Sequence, residues 1–433
     1  MNHMKCHIER YNDGQWQHAA TFEPDPQTLD RGVEGGCRLE YDHDYVIANI
    51  GNQNAEIIPG LPVGFELHRY KAWPPFLIDL MPSGAGRRAW LKRMQVENDG
   101  PQVEWHLLVK GAGCPPGNLR IADAVLDPPP EQFKIGFPRN DIIEQQEDFI
   151  EYAEERGAYV AGAGSIQGEA PKYLVVEDHK GMFHAEGALP DDMIKKFWLV
   201  KFPRGRRTEK RNHQVLRNEA PYLEVARRFG VRVGDPLVYE GGALFIPRFD
   251  REVIDGHVSR LGMHSLYAIA RVPGYGASVR HEIYCRAIAN TTCEPTREIR
   301  EYILRDILNL ALRNTDNHGR NTAVLRVGDQ VALSPLFDFA PMFLDPEGIG
   351  RVSRWEDERP GGQPEWATIC EKLKDVLDPT ETREWLADLA DQVSELPDTM
   401  QKCHVDDDII QKLAQRIEAV GRGLQEAKPT AIV

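Results

Sequence analysis

NTDNHGRNTAVL, residues 314–325, puts Asp316, His318 and Asn321 into one short polar loop and then runs straight into apolar residues. Upstream lies REYILRDILNLALRN, in which Ile303, Ile307 and Leu310, and likewise Leu304, Leu308 and Leu312, recur at helical spacing. Downstream, TAVL reads as a strand. VGDQV then sets Gly328-Asp329 where a two-residue type II′ hairpin turn wants its glycine first. A second strand, VALSPL, leads to Asp338 in LFDFAP. The order is helix, polar loop, hairpin and second acid, and the hairpin brings Asp338 back beside the loop that holds Asp316 and Asn321.

The chain of 433 residues is long enough for two or three domains. At 41% hydrophobic and 27% charged it has an ordinary globular composition. No run is long enough to span a bilayer, and the start, MNHMKCHIERYNDG, has no apolar signal core, so a cytoplasmic location and no membrane partner are expected. Seven scattered cysteines with no C-x-x-C pair argue against a disulfide framework and a cysteine zinc site. Lys and Arg number 52 against 67 Asp and Glu, a net charge of −15. That balance disfavours direct nucleic-acid binding by the whole surface and leaves PRGRRTEKR, residues 203–211, as a local basic patch.

Along the chain, residues 1–125 read as a small mixed α/β domain with strand-like runs DYVIANI and PQVEWHLLV and a helix at GRRAWLKRM. The proline-rich VLDPPPEQFKIGFPRND and a following helix make a linker over 126–158. Residues 159–251 read as a β-rich lobe: YVAGAGSIQGEAPKYLVVED as strand, glycine-rich turn and strand, KFWLVKF as strand, NEAPYLEVARRFGV as a helix stopped by Gly230, and GALFIPRFDR as a strand entering a bend. From 252 to 433 the chain reads as mostly helical, interrupted by the hairpin. The expected fold is α+β and bilobal, protein-kinase-like, with a small β-rich N-lobe, a mostly helical C-lobe and an appended amino-terminal α/β subdomain.

Asp316 and Asn321 stand as D-x-x-x-x-N, the separation of the protein-kinase catalytic loop, where the aspartate accepts a hydroxyl proton and the asparagine holds magnesium. Asp338 opens Asp-Phe-Ala, close to the kinase Asp-Phe-Gly. Carboxylate and amide oxygens are hard ligands that suit Mg²⁺. Lys201, on an apolar strand, precedes a helix carrying Glu219, the order of the kinase strand lysine and its helix glutamate. Upstream, the loop with Gly164, Ser165, Gly168 and Lys172 can cradle phosphates through backbone N–H groups, although it is neither G-x-G-x-x-G nor a Walker A motif. Arg248 and Phe249, in the bend after the strand, are hinge candidates beside a nucleotide, and His318 completes the expected nucleotide-site residues.

The set S-I-x-G-x-x-x-K (residues 165–172), the lysine of LVKF, N-E-A (218–220), R-F-D-R (248–251), T-D-N-H-G-R-N and L-F-D resembles the HipA family, serine/threonine kinase toxins of bacterial type II toxin–antitoxin modules. FLIDLMPSGAGR is similar to that family's amino-terminal subdomain. The resemblance implies Asp316 as catalytic base, Asn321 and Asp338 as Mg²⁺ ligands, Lys201 on the ATP phosphates and Ser165 as an inhibitory autophosphorylation site. It implies a HipB-like helix-turn-helix antitoxin as partner, DNA reached only through that antitoxin, and a protein substrate linked to translation, such as an aminoacyl-tRNA synthetase. Two departures are Pro247 in the hinge and the segment SLYAIARVPGYGASVRHE. The competing readings are a catalytically silent scaffold or co-repressor, which has no need of four intact site residues, and a small-molecule phosphotransferase.

Overall fold

A computed structural model describes residues 4–126, 136–145, 147–155, 171–203 and 210–428. The chain divides into two compact units. The first comprises Met1–Arg207, Leu237–Tyr275 and Leu325–Gln330, and the second Thr208–Pro236, Gly276–Val324 and Val331–Val433.

The first unit holds two five-stranded antiparallel sheets. In one, the order is His68–Tyr70, Cys37–Tyr41, Gln15–Pro24, Cys6–Asn12 and Leu119–Ile121. Ile8, Phe22 and Leu39 bury one face of it against Trp73, Leu77, Leu107 and Leu108. Two runs read from the sequence as strands are helices here. DYVIANI lies in the helix His43–Asn49. Its β-branched content suggested a strand, but Asp42 stands at the N-cap, Asp44 sits in the first turn, where the helix dipole favours an acid, and the Tyr45 hydroxyl donates to the Ala55 carbonyl at 2.7 Å. PQVEWHLLV is a 3₁₀ turn, Pro101–Val103, running into the helix Glu104–Gly111. Its buried residues, Glu104, Trp105, Leu107 and Leu108, fall at helical rather than alternating spacing.

The second sheet runs Phe183–Ala185, Lys172–Asp178, Ile194–Lys201, Ala243–Pro247 and Val238–Glu240. Tyr173, Val175, Trp198, Val200 and Phe245 on one face pack with Phe149, Tyr152 and Ala153 of the helix Glu147–Glu155. Alternation sends Leu199 and Lys201 to the opposite face, where the register sets Lys172 and Leu244 directly across from Lys201. Past this sheet the chain does not turn helical at once. Arg251–Ile254 and His257–Arg260 form a hairpin whose turn, Asp255-Gly256, has positive φ at both residues, 50° and 78°. That is the type I′ arrangement that Asp-Gly favours.

The second unit is mostly helical. Lys210–Arg228, His281–Thr291, Pro295–Leu312, Trp366–Lys372, Pro379–Ser394, Leu396–Lys402 and Asp407–Gln425 are its main helices. Gly230, with φ 95°, closes the first of them, as expected from the sequence. Pro295–Leu312 packs on both His281–Thr291 and Asp407–Gln425 and is buried along most of its length. It is followed by the loop of interest and then by the strands Ala323–Val327 and Gln330–Leu333. These two strands pair as the hairpin read from the sequence, and only Gly328 of the two turn residues has positive φ, 57°, the type II′ signature.

Candidate functional site

The polar loop is built from the end of its helix outward. Arg313 leaves the helix Pro295–Leu312 in the left-handed region (φ 52°, ψ 43°), and its carbonyl accepts the Phe343 N–H at 3.2 Å. Within the loop, Asn321 Nδ2 donates to the Asp316 carbonyl at 2.8 Å. A carbonyl can only accept, so this contact fixes the amide orientation and turns Oδ1 the other way. Oδ1 is buried without a hydrogen-bond partner. A buried acceptor left unmade is costly, and a hard cation taking an amide oxygen removes that cost. His318 Nε2 lies 3.3 Å from Asp316 Oδ1, while His318 Nδ1 accepts the Arg320 N–H at 3.2 Å. The nitrogen that accepts carries no hydrogen, so Nε2 carries it and points it at the Asp316 carboxylate. His318 therefore orients Asp316. The Asp316 side chain keeps 16% exposure, enough to meet a reactant.

Asn317 was missed by the sequence reading. Its Nδ2 donates to the Ser353 carbonyl at 2.8 Å, and its Oδ1 accepts the Val352 and Ser353 N–H groups at 3.0 and 3.2 Å. One side chain thus ties the loop to a segment some 35 residues on in the chain. Nothing in D-N-H-G distinguishes such a tie from a plain turn residue.

Asp338 is placed by what surrounds it in the sequence. The hairpin's second strand is pinned to the helix Pro295–Leu312: Glu298 accepts the Leu333 N–H at 2.8 Å, and Arg305 Nη2 donates to the Ser334 carbonyl at 2.6 Å. Phe339 is fully buried, its ring 5.5 Å from that of Tyr222, whose hydroxyl donates to the Leu312 carbonyl at 3.2 Å. Asp338 itself is partly exposed and has φ 53°. It is held between a pinned strand and an anchored phenylalanine in a conformation that few side chains other than Asp and Asn tolerate.

In the first unit, Lys172 and Lys201 stand opposite one another on neighbouring strands, Lys201 only 5% exposed. Leu174 and Leu244, both buried, share their face. Glu219 lies in the helix Lys210–Arg228 of the second unit, 3% exposed. Arg248, a hinge candidate from the sequence, donates through Nε and Nη2 to Asp250 at 2.7 and 2.6 Å and through Nη1 to Glu186 at 2.6 Å. Arg251 and Arg260 join the same cluster through Glu186. Burial alone would raise the Asp250 carboxyl; the charges of Arg248 and Arg251 overcome it and hold that group well below the usual carboxylate range. Arg251 also donates to the Pro115 and Gly117 carbonyls, so R-F-D-R is tied to residues 115–117 of the amino-terminal region. Phe249 beside it is partly buried. Gly164, Ser165 and Gly168 lie outside the described residues.

The sequence matches the family of the HipA-like C-terminal domain over residues 164–396. No curated protein sequence matches the chain. Among solved structures, the fold is similar to HipA of the Shewanella oneidensis MR-1 toxin–antitoxin system, solved with HipB and its operator DNA: TM-score 0.64, 15% identity, covering 96% of each chain. The Helicobacter pylori proinflammatory kinase CtkA aligns over 61% of this chain and 94% of its own, at 13% identity and a TM-score of 0.34. The α+β fold is thus that of the Shewanella protein across nearly its whole length.

Proposed function

This chain belongs to the HipA family, through its HipA-like C-terminal domain, and we propose that it is an ATP- and Mg²⁺-dependent serine/threonine protein kinase acting as the toxin of a toxin–antitoxin pair. The observation that carries this reading is the Asn321 amide oxygen, buried and without a hydrogen-bond partner, five residues after an aspartate whose carbonyl fixes the amide's orientation. That is a ligand atom prepared for a hard cation. Asn321 and Asp338 would hold Mg²⁺, and bound Mg-ATP would supply the phosphoryl group and neutralise the charge that develops on it. Asp316, oriented by His318, accepts the hydroxyl proton of the protein substrate. Lys201, with Lys172 across the strand pair, neutralises phosphate charge, and Glu219 takes the place of the kinase helix glutamate.

The domain division follows: an amino-terminal subdomain over 1–125, linker and helix over 126–158, N-lobe over 159–251 and C-lobe over 252–433. Ser165 is the proposed autophosphorylation site that switches the enzyme off. The Shewanella HipA is bound to HipB and operator DNA. By analogy, a HipB-like helix-turn-helix protein is the proposed antitoxin here, with DNA contacted through it and a translation-related protein as the substrate. No helix among the described residues is long and apolar enough to cross a membrane, and the proposed setting is the cytoplasm.

The test is transfer from labelled ATP to proteins of a total cell lysate, with Mg²⁺ and with a chelator, by the natural chain and by Asp316→Asn. A general base contributes about 10²–10⁴-fold, so Asp316→Asn is expected to lose transfer by at least that much while binding nucleotide normally. Phosphate on Ser165 in the natural chain and none in Asp316→Asn is the expected mass-spectrometric result. Equal transfer by both forms ends the assignment of Asp316. No transfer by either, with the antitoxin absent, favours the scaffold reading.

A further inference from the structure

Among the described residues, and outside those used so far, one set of side chains has the chemistry of a metal site. His7 lies on the strand Cys6–Asn12, His18 on Gln15–Pro24, and Asp42 at the N-cap of the helix His43–Asn49. One ligand atom of each lies within 4.8 Å of the others. They are brought together by an irregularity in the sheet. The register of the first two strands shifts between Ile8 and Glu9, so that His7 pairs with Thr21 but Glu9 pairs with His18. The Asp42 N–H donates to the Ala19 carbonyl at 3.0 Å, drawing the start of the helix onto the same place.

Each of the three groups is also steadied by a neighbour. Thr21 Oγ1 donates to Asp42 Oδ1 at 2.9 Å and lies 3.4 Å from His7 Nδ1. With its one hydrogen given to the carboxylate, the hydroxyl can only accept from His7, which leaves the lone pair of that ring on Nε2. His18 Nε2 lies 3.2 Å from Glu9 Oε1, and Glu9 Oε2 in turn is held by Arg120 Nε at 2.7 Å. Metal-binding histidines are usually oriented in this way, the second ring nitrogen facing a carboxylate or another acceptor.

We propose that His7, His18 and Asp42 form a binding site for a divalent transition-metal ion, zinc being the ion that the ligand set fits best. Two imidazoles and one carboxylate supply three ligands at about 2.0–2.2 Å from zinc, with water in the fourth position. Ligand atoms that lie within 4.8 Å of one another must close by at most somewhat more than about an ångström to meet one ion, within reach of small side-chain rotations. The His18 side chain is 56% exposed, so an ion can enter from solvent and the ring can swing to meet it. The site joins two strands to the start of a helix, and an ion there would cross-link three elements of the amino-terminal sheet. It is separate from the proposed Mg²⁺ ligands Asn321 and Asp338 in donor chemistry, nitrogen-rich rather than all oxygen.

The test is calorimetric titration of the full chain, stripped with a chelator, with ZnCl₂, alongside visible absorption of the Co²⁺ form. The expected result is one zinc equivalent bound at micromolar or tighter affinity, a raised Tm and a Co²⁺ spectrum of low-coordinate type. His18→Ala, at an exposed position that leaves the core untouched, is expected to weaken binding at least tenfold. Thr21→Val, which keeps strand shape and removes only the hydroxyl tie, is expected to weaken it roughly ten- to a hundredfold. The sequence has 14 histidines, so the variants decide whether bound zinc is at this place. No binding by the natural chain, or binding that His18→Ala leaves unchanged, overturns the proposal.

Discussion

A single backbone angle at Asp338 separates two roles that one residue plays. Its φ of 53° lies where a β-substituted side chain costs about 1–2 kcal/mol, with Asp and Asn the tolerated exceptions. Asp338→Asn is therefore expected to leave the urea midpoint nearly unchanged, while Asp338→Val lowers stability by about 1–2 kcal/mol. Both should weaken Mg-ATP binding in calorimetry, because both remove the charged ligand. Equal stability of the two variants would show that the backbone conformation is not what selects Asp here. At this scale the sequence offers candidates where spacing is the signal: five positions separate Asp316 from Asn321, and Asp338 follows the hairpin. His318 was noticed, but that it faces Asp316 is visible only once Arg320 N–H is seen on its other nitrogen. Arg248 was read as a nucleotide-side residue, and only the fold shows all three of its nitrogens donating to Glu186 and Asp250.

At the scale of elements, the loop after Pro295–Leu312 is held on two sides, by the helix behind it and by Asn317 in front. Asn317 is 9% exposed and serves three backbone groups of Val352 and Ser353. Each buried polar group left without a partner costs about 1–3 kcal/mol. Asn317→Ala is expected to destabilise the chain by about 2–4 kcal/mol and to lower transfer activity although Asn317 has no proposed contact with nucleotide. Asn317→Asp keeps the acceptor and loses the donor to Ser353, so its loss should be intermediate. Denaturant unfolding with parallel assays checks the order; an Asn317→Ala protein of natural stability removes the clamp from the account. Elements were legible where local signals agreed with packing, as in Pro295–Leu312, the Gly328-Asp329 turn and the Gly230 stop. They were misread where composition and packing disagreed. DYVIANI has strand residues, but Tyr45 and Val46 are buried side by side while Ile47 and Ile50 stand 62% exposed, so burial does not alternate and the N-terminal acids prevailed. The hairpin around Asp255-Gly256 was a readable signal that the expectation of a helical region obscured.

Across the described residues, buried histidines with lowered pKa values lose stability in acid at a higher pH than the carboxylates whose values are lowered. His264 is 4% exposed, and burial first, then the charges of Arg326 and Arg10, push its pKa down to about 3. His281, also buried, is lowered by burial in spite of the nearby Asp306 carboxylate. In the unfolded chain a histidine titrates near 6.5. Above about pH 6.5 neither state binds the proton, and the full stability is present. Below that value the unfolded chain takes up protons that the folded chain refuses, so stability falls, by roughly 1.4 kcal/mol per pH unit for each such histidine, until the folded pKa is reached. Glu186 and Asp250 follow the same sign at lower pH: their folded pKa values are depressed, so their contribution is complete above about 4 and is lost only below it. The expected profile has two stages, a decline in Tm that begins near pH 6.5 and a steeper one below about pH 4. His264→Leu removes a protonatable group from the unfolded chain without opening a cavity, and should flatten the first stage while leaving the second in place. Thermal unfolding of both proteins between pH 7.5 and 5 decides it, because a Tm that is level over this range, or a slope that the variant shares in full, would mean that His264 does not carry the acid response.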